Sequence, residues 1–334
     1  ALDRAIQAAA AVKPGDAAAY QAARAQVIEA AAGNAAALAE RGADARWTRD
    51  GWRQALVAEA SRVRMTNPEL TAHVDAPRGI DPEHYRRFRV PRPLCQHDLA
   101  RLGRDAVPLV LERLLWTLDA RPFSEGEAGK AERESLALAT LFVPGQLGDA
   151  RARFAMEDAL RSAALPAAWR QQAAVSLGQC AGADAVATLI SFADDPAQSL
   201  EVRQGAAWGL GRTMSAAAAD ALAGRLSKTA DDDVRRALVN GLGLAGDKWA
   251  WEARGAAALE GAAALRRRCS AALVAELEAH PADRDLIGEK IAEVAAPEAL
   301  AAVRKMAGDE GAAPEVREAA RAILPVLEMS IAGN

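Results

Sequence analysis

The stretch Trp169-Arg170-Gln171-Gln172-Ala173-Ala174-Val175-Ser176-Leu177-Gly178 returns twice downstream in recognisable form. Its second copy is Val202-Arg203-Gln204-Gly205-Ala206-Ala207-Trp208-Gly209-Leu210-Gly211, and its third is Val234-Arg235-Arg236-Ala237-Leu238-Val239-Asn240-Gly241-Leu242-Gly243. Leu265-Arg266 through Cys269 to Leu273, and Val316-Arg317 through Ala320 to Leu324, carry the same frame. An apolar residue followed by Arg starts each copy, a small or apolar residue stands four on, and an apolar residue stands eight on. On a helix of 3.6 residues per turn these three positions drift by only about 40°, so they form one buried stripe. The first four starts lie 33, 32 and 31 residues apart, enough for a helix, a turn, a second helix and a turn.

Between the copies, stretches such as Asp184–Phe192 and Ala217–Leu226 have the spacing of the second helix. Asp195 and the run Asp231-Asp232-Asp233 precede the next start, where a carboxylate accepts free backbone N–H groups and meets the positive end of the helix dipole. Gly178, Gly211 and Gly243 are expected as left-handed residues closing the first helices.

These copies resemble the HEAT-repeat family, in particular the short units related to phycobilisome-lyase repeats. The likeness is clearest over about 165–330, and Leu102 to Val110 extends it upstream to about 100. It implies an all-α fold: a right-handed α-solenoid of HEAT-like helical hairpins with an irregular helical N-terminal segment. The implied organisation is a helical segment over 1–66, a Pro/Arg-rich extended strap over 67–97 and the solenoid over 98–334. From 280 to 308 the frame degenerates, since Ile287-Gly-Glu-Lys-Ile291 lacks the arginine.

Composition agrees with stacked helices. Alanine makes up about a quarter of the 334 residues, against 4% aromatics; it is the strongest helix former but buries little area, so its helices must pack closely. Charge is balanced at a net −4, without the basic footprint that wholesale nucleic-acid binding requires. Of 41 basic residues 35 are arginine, the imprint of a GC-rich bacterial genome. No apolar run reaches the roughly 20 residues of a bilayer span. The sequence opens at Ala1, as would a cytoplasmic chain or an exported, periplasmic one after removal of a leader.

Catalytic chemistry has no anchor in the sequence. The four histidines stand at 73, 84, 97 and 280 in no ligand spacing, and the His-Glu pairs of the family's di-iron enzymes are absent. Neither a nucleophile elbow nor a phosphate-cradling loop occurs. Cys269 occupies the small slot of its copy and reads as core. The expectation is a chain that is not an enzyme and carries no cofactor and no metal.

Function is therefore sought on surfaces. Arg170, Arg203, Arg235, Arg266 and Arg317 recur at one position and read as structural arginines bonded to loops or helix ends; the competing reading is an anion-binding stripe. Residues 41–104 carry 13 basic and 8 acidic side chains. Within them His84 to Pro93 places Arg86, Arg87, Phe88, Arg89 and Arg92 among prolines, the composition of an interface hot spot for an acidic surface. Trp249 and Trp251 are expected on a second helix lining the inner face, with at most one of them in the core. The expected function is a non-catalytic protein-binding scaffold or adaptor subunit of a bacterial complex, working through its concave face and the strap. The resemblance also brings two alternatives, a tetrapyrrole lyase or chaperone and a DNA-binding protein like the alkylpurine glycosylases; a net −8 over 105–334 opposes the second.

Overall fold

The computed structural model describes residues 140–332 continuously and isolated positions before them. The strap over 67–97 and nearly all of the 1–66 segment lie outside the described residues. The chain divides into two compact units, Ala1–Leu165 and Pro166–Asn334. All regular structure in the described residues is helical.

In the first unit a helix closes at Gly148, whose φ of 57° suits a residue without a Cβ. Asp149 then accepts the Arg151 N–H at 3.0 Å and turns the chain into helix α1, Arg153–Arg161. Phe154, Met156 and Leu160 are buried on α1, and Arg153 donates to Glu157 at 2.9 Å within the same buried surface.

The second unit is a two-layer α-solenoid. Its helices are α2 (Ala167–Ala181), α3 (Val186–Asp194), α4 (Leu200–Arg212), α5 (Ala216–Leu226) and α6 (Asp232–Gly246). After two short helices, α7 (Lys248–Glu252) and α8 (Ala256–Gly261), come α9 (Ala263–Ala279), α10 (Arg284–Val294), α11 (Pro297–Gly308) and α12 (Pro314–Ala332). One row stacks α2, α4, α6, α10 and α12; the other stacks α3, α5, α9 and α11. Each second-row helix packs on the first-row helix that follows it. The core lies between the rows and is built from the repeated stripe: Trp169, Ala173 and Leu177, then Val202, Ala206 and Leu210, then Val234, Leu238 and Leu242.

Asp231 caps α6 as the sequence suggests, accepting from Asp233 N–H and Val234 N–H at 3.1 and 3.2 Å. Asp195 instead closes the loop ahead of α4, accepting from Ala197 N–H and the Gln198 amide.

Three expectations need correction. The first concerns the glycines: Gly178, Gly211 and Gly243 do not end their helices in a left-handed conformation, and the positive φ that closes α2, 54°, falls at Gly182, four residues beyond Gly178. Inside the helices the glycines bring neighbouring backbones together. A Cβ on Gly178 would collide with the Gly209 carbonyl of α4, and one on Gly241 would sit 2.6 Å from the Ala207 carbonyl oxygen.

The second concerns the frame. The Leu265-Arg266 copy keeps its buried stripe, with Leu265, Cys269 and Leu273 all in the core, but its helix α9 stands in the second row. The first-row place after α6 belongs to α10, whose Ile287 and Ile291 are fully buried. The irregularity expected over 280–308 therefore lies upstream, in the α7–α8 excursion. The third concerns the last copy, where Ile323 is buried and Leu324 only half-buried, so the stripe of α12 closes one residue early.

The apolar stretch Ala167–Asp194 is long enough to span a bilayer by composition, but Gly182 breaks it into α2 and α3, which stack in opposite rows.

Candidate protein-interaction site

The chain leaves α6 at Asp247, whose carboxylate accepts from Trp249 N–H at 2.9 Å and Ala250 N–H at 3.3 Å and starts the five-residue α7. On a helix, residues two apart point about 200° away from each other, so the two tryptophans separate. Trp251 folds back, donating its indole N–H to the Ala245 carbonyl at 3.0 Å, and carries the Arg254 guanidinium 5.4 Å above its ring. Trp249 stays out: it is 63% exposed, with the Lys248 ammonium 5.7 Å from its ring centre. Lys248 in turn donates to the Ser330 carbonyl at 3.1 Å, which ties α7 to the last turns of α12. The tryptophans thus belong to the excursion and not to a second-row helix.

A turn at Gly255, with φ 104°, leads into α8. Beside it lies an open cleft of about 340 Å³ between α8, the start of α9 and the start of α11. Ala256, Leu259 and Ala263 form its apolar wall, Glu260 and Glu298 stand at its margin, and Arg266 is at its base. The Arg266 guanidinium is spent internally: it donates to the Val294 carbonyl at 3.1 and 2.6 Å and to the Ala295 carbonyl at 3.0 Å. Those carbonyls end α10, where Ala295 takes a left-handed conformation. Burial lowers the Arg266 pKa, yet a guanidinium starts so high that it stays charged.

The other repeat arginines also reach loops and helix ends. Arg170 donates to Gln198, and Arg203 donates to the Ala193 carbonyl and pairs with Asp231 at 3.5 Å. Arg317 donates to the Glu310 carbonyl at 2.8 Å. Arg235 is the most enclosed. It bonds Asp232, Glu276 and Asp283 at 2.9, 3.1 and 2.7 Å, bridging α6 to α9 and to the turn before α10. Burial alone would lower the Arg235 pKa, but these carboxylates reverse it and raise it. Because α9 stands in the second row, Arg266 meets the C-terminal edge of the first row, whereas Arg203 and Arg235 meet N-terminal loops. The five do not line one continuous anion-binding stripe.

Among the described residues no group of His, Cys, Asp and Glu side chains is placed to hold a metal. Burial pushes the Cys269 thiol up to about 12, in keeping with its place in the core of α9. Arg86, Arg87, Phe88, Arg89 and Arg92 lie outside the described residues.

The family comparison falls on the regular part of this architecture: residues 145–243 match the HEAT-repeat family model. The segment is a run of HEAT repeats. No curated protein matches the chain. The matched run ends before the α7–α8 excursion. Sequence reasoning singled out Trp249 and Trp251 but missed the cleft and the exposed face of α12. One signal was available: Asp247 and Gly255 bracket a stretch too short for a full second helix.

Proposed function

We propose that this chain is a non-catalytic protein-binding scaffold whose HEAT repeats hold the α7–α8 excursion out toward a partner. One observation carries the reading: Trp249 is 63% exposed on an insertion into an otherwise regular array. Insertions into repeat arrays collect on one face, often the binding face. Exposing an indole to water forgoes roughly 1.5–3 kcal/mol of burial, and tryptophan and arginine dominate interface hot spots. Arg254, stacked on Trp251 and without a carboxylate partner among the described residues, suits a partner with an acidic group beside its apolar anchor. In this reading Arg86, Arg87, Phe88, Arg89 and Arg92 form a second, basic contact on the same acidic partner.

The test is co-purification from the native host with wild-type chain, Trp249→Ala, and Arg86, Arg87, Arg89 and Arg92 all changed to Ala. The expected result is a stoichiometric partner lost by Trp249→Ala and weakened by the arginine variant, at unchanged thermal stability. A partner retained by both variants overturns the assignment of these residues.

A further inference from the structure

The last first-row helix, α12, has an apolar stripe that no described residue covers. Ala322, Pro325, Val326 and Met329 stand at i, i+3, i+4 and i+7, within about 100° of one another on the helix, and all four are exposed, Val326 at 49% and Met329 at 56%. The opposite face is sealed, with Val316, Ala320, Ile323 and Leu327 buried against α10 and α11. The stripe is thus an additional apolar seam, in a helix already fully engaged on its core side.

We infer that this stripe is a self-association surface on which α12 of a second copy packs antiparallel about a twofold axis. Self-complementarity argues for that occupant. With the axis between Pro325 and Val326, Ala322 of one copy falls opposite Met329 of the other, and Pro325 falls opposite Val326. Small Ala322 therefore meets long Met329 at both ends of the seam, while Pro325 and Val326, of similar size, meet at its centre. In an isologous pair each surface must fit its own image, and the i, i+3, i+4, i+7 spacing maps onto itself under this antiparallel operation.

Charge agrees with the antiparallel sense. Arg321 and Glu328 are exposed on one flank of the stripe, and antiparallel pairing sets that flank against its own copy. Arg321 then lies within one turn of the second copy's Glu328, twice per dimer. Parallel pairing would bring Arg321 toward the opposite flank, where Ser330 stands. Inside one copy Glu328 pairs with Arg304 at 2.7 Å and Arg321 donates to the Ala307 carbonyl at 3.1 Å; both side chains are half-solvated and able to take a second partner. At 1.5 Å per residue the seam from Ala322 to Met329 runs about 10 Å, short of a standard specific interface, so the association is weak and reversible.

This inference is independent of the proposed partner site, since it concerns the chain alone. Sedimentation velocity over a rising concentration series of purified protein should show a monomer–dimer equilibrium. Val326→Glu with Met329→Glu, which leaves the core untouched, should weaken it at least about tenfold with the unfolding midpoint preserved. Val326→Cys on a Cys95→Ser background reports the geometry: near the axis it should form a disulfide-linked dimer under mild oxidation, while Glu315→Cys should not. A chain that stays monomeric throughout, a double-Glu variant that dimerises as before, or cross-linking equal at 326 and 315 overturns the inference.

Discussion

The glycines inside α5 and α6 make opposite predictions for one substitution at two sites. Replacing a helical glycine by alanine ordinarily stabilises a helix by about 1 kcal/mol, because alanine surrenders less backbone entropy on folding. Gly224, in α5, has open space where a Cβ would go, so Gly224→Ala should follow that rule and gain roughly 0.5–1 kcal/mol. At Gly241 the added carbon would lie 2.6 Å from the Ala207 carbonyl oxygen and 3.0 Å from Leu222 Cδ2. Ordinary carbon–oxygen contact needs about 3.3 Å, so α4 and α6 would have to part by some tenths of an ångström along their closest line. The obstacle is backbone, which cannot rotate away as a side chain can. Overpacking of this kind costs ~1–3 kcal/mol; set against the propensity gain, Gly241→Ala should be about 1–2 kcal/mol less stable than wild type. Urea unfolding followed by circular dichroism at 222 nm measures both variants against wild type. If Gly241→Ala proves as stabilising as Gly224→Ala, close backbone approach does not hold these helices together.

Three further outcomes follow from the polar interior. Arg235→Ala strands Glu276, 6% exposed in its side chain, and should destabilise by about 3 kcal/mol; chemical denaturation would expose the error if the loss is under 1. The Asp283 carboxyl would be raised by burial, but Arg235 and Arg236 hold it below its usual range. Its contribution is therefore complete above about pH 4, where the unfolded chain's aspartates are ionised, and fades as pH falls through the lowered folded value. Asp283→Asn should consequently unfold more easily than wild type at pH 7, with the gap closing in acid titration; a gap that widens in acid contradicts the sign. Ser270 is 1% exposed with an Oγ that finds no partner, so Ser270→Ala should raise the thermal midpoint, by about 1 kcal/mol in stability, and a lowered midpoint would show that the hydroxyl is bonded after all.

The repeat rhythm was legible because each copy states its buried stripe in three residues four apart, and the stripes of α2, α4 and α6 are buried as written. Which row a helix joins was not legible. Leu265-Arg266 declares a buried face as clearly as Val234-Arg235 does, but a face does not name the neighbour it meets. That is settled by the length of chain between Gly246 and Ala263, which is too long for a turn and too broken for a full helix. The glycines misled for a related reason: Leu-Gly at a helix end and Leu-Gly before a close crossing are the same two letters, and only the partner helix distinguishes them. Of the candidate contact residues, Trp249 and Trp251 were picked out by being two apart on a helix, which forced them onto different sides. The cleft beside α8 had no such signal, since its lining comes from two separate stretches of the chain and includes three alanines, and alanine is everywhere in this chain.

The change of row at α9 amounts to an inversion of parity. Before Gly246 the apolar-Arg motif marks the odd helices of the array; at α9 it marks an even one, and at α12 an odd one again. A relative aligned by motif alone would keep a single parity throughout, and α9 would then be assigned to the wrong layer with its greasy side turned to water. The same count explains how such a chain can lengthen. Adding a whole hairpin preserves parity anywhere, whereas adding a single helix would reverse the layer of every helix after it.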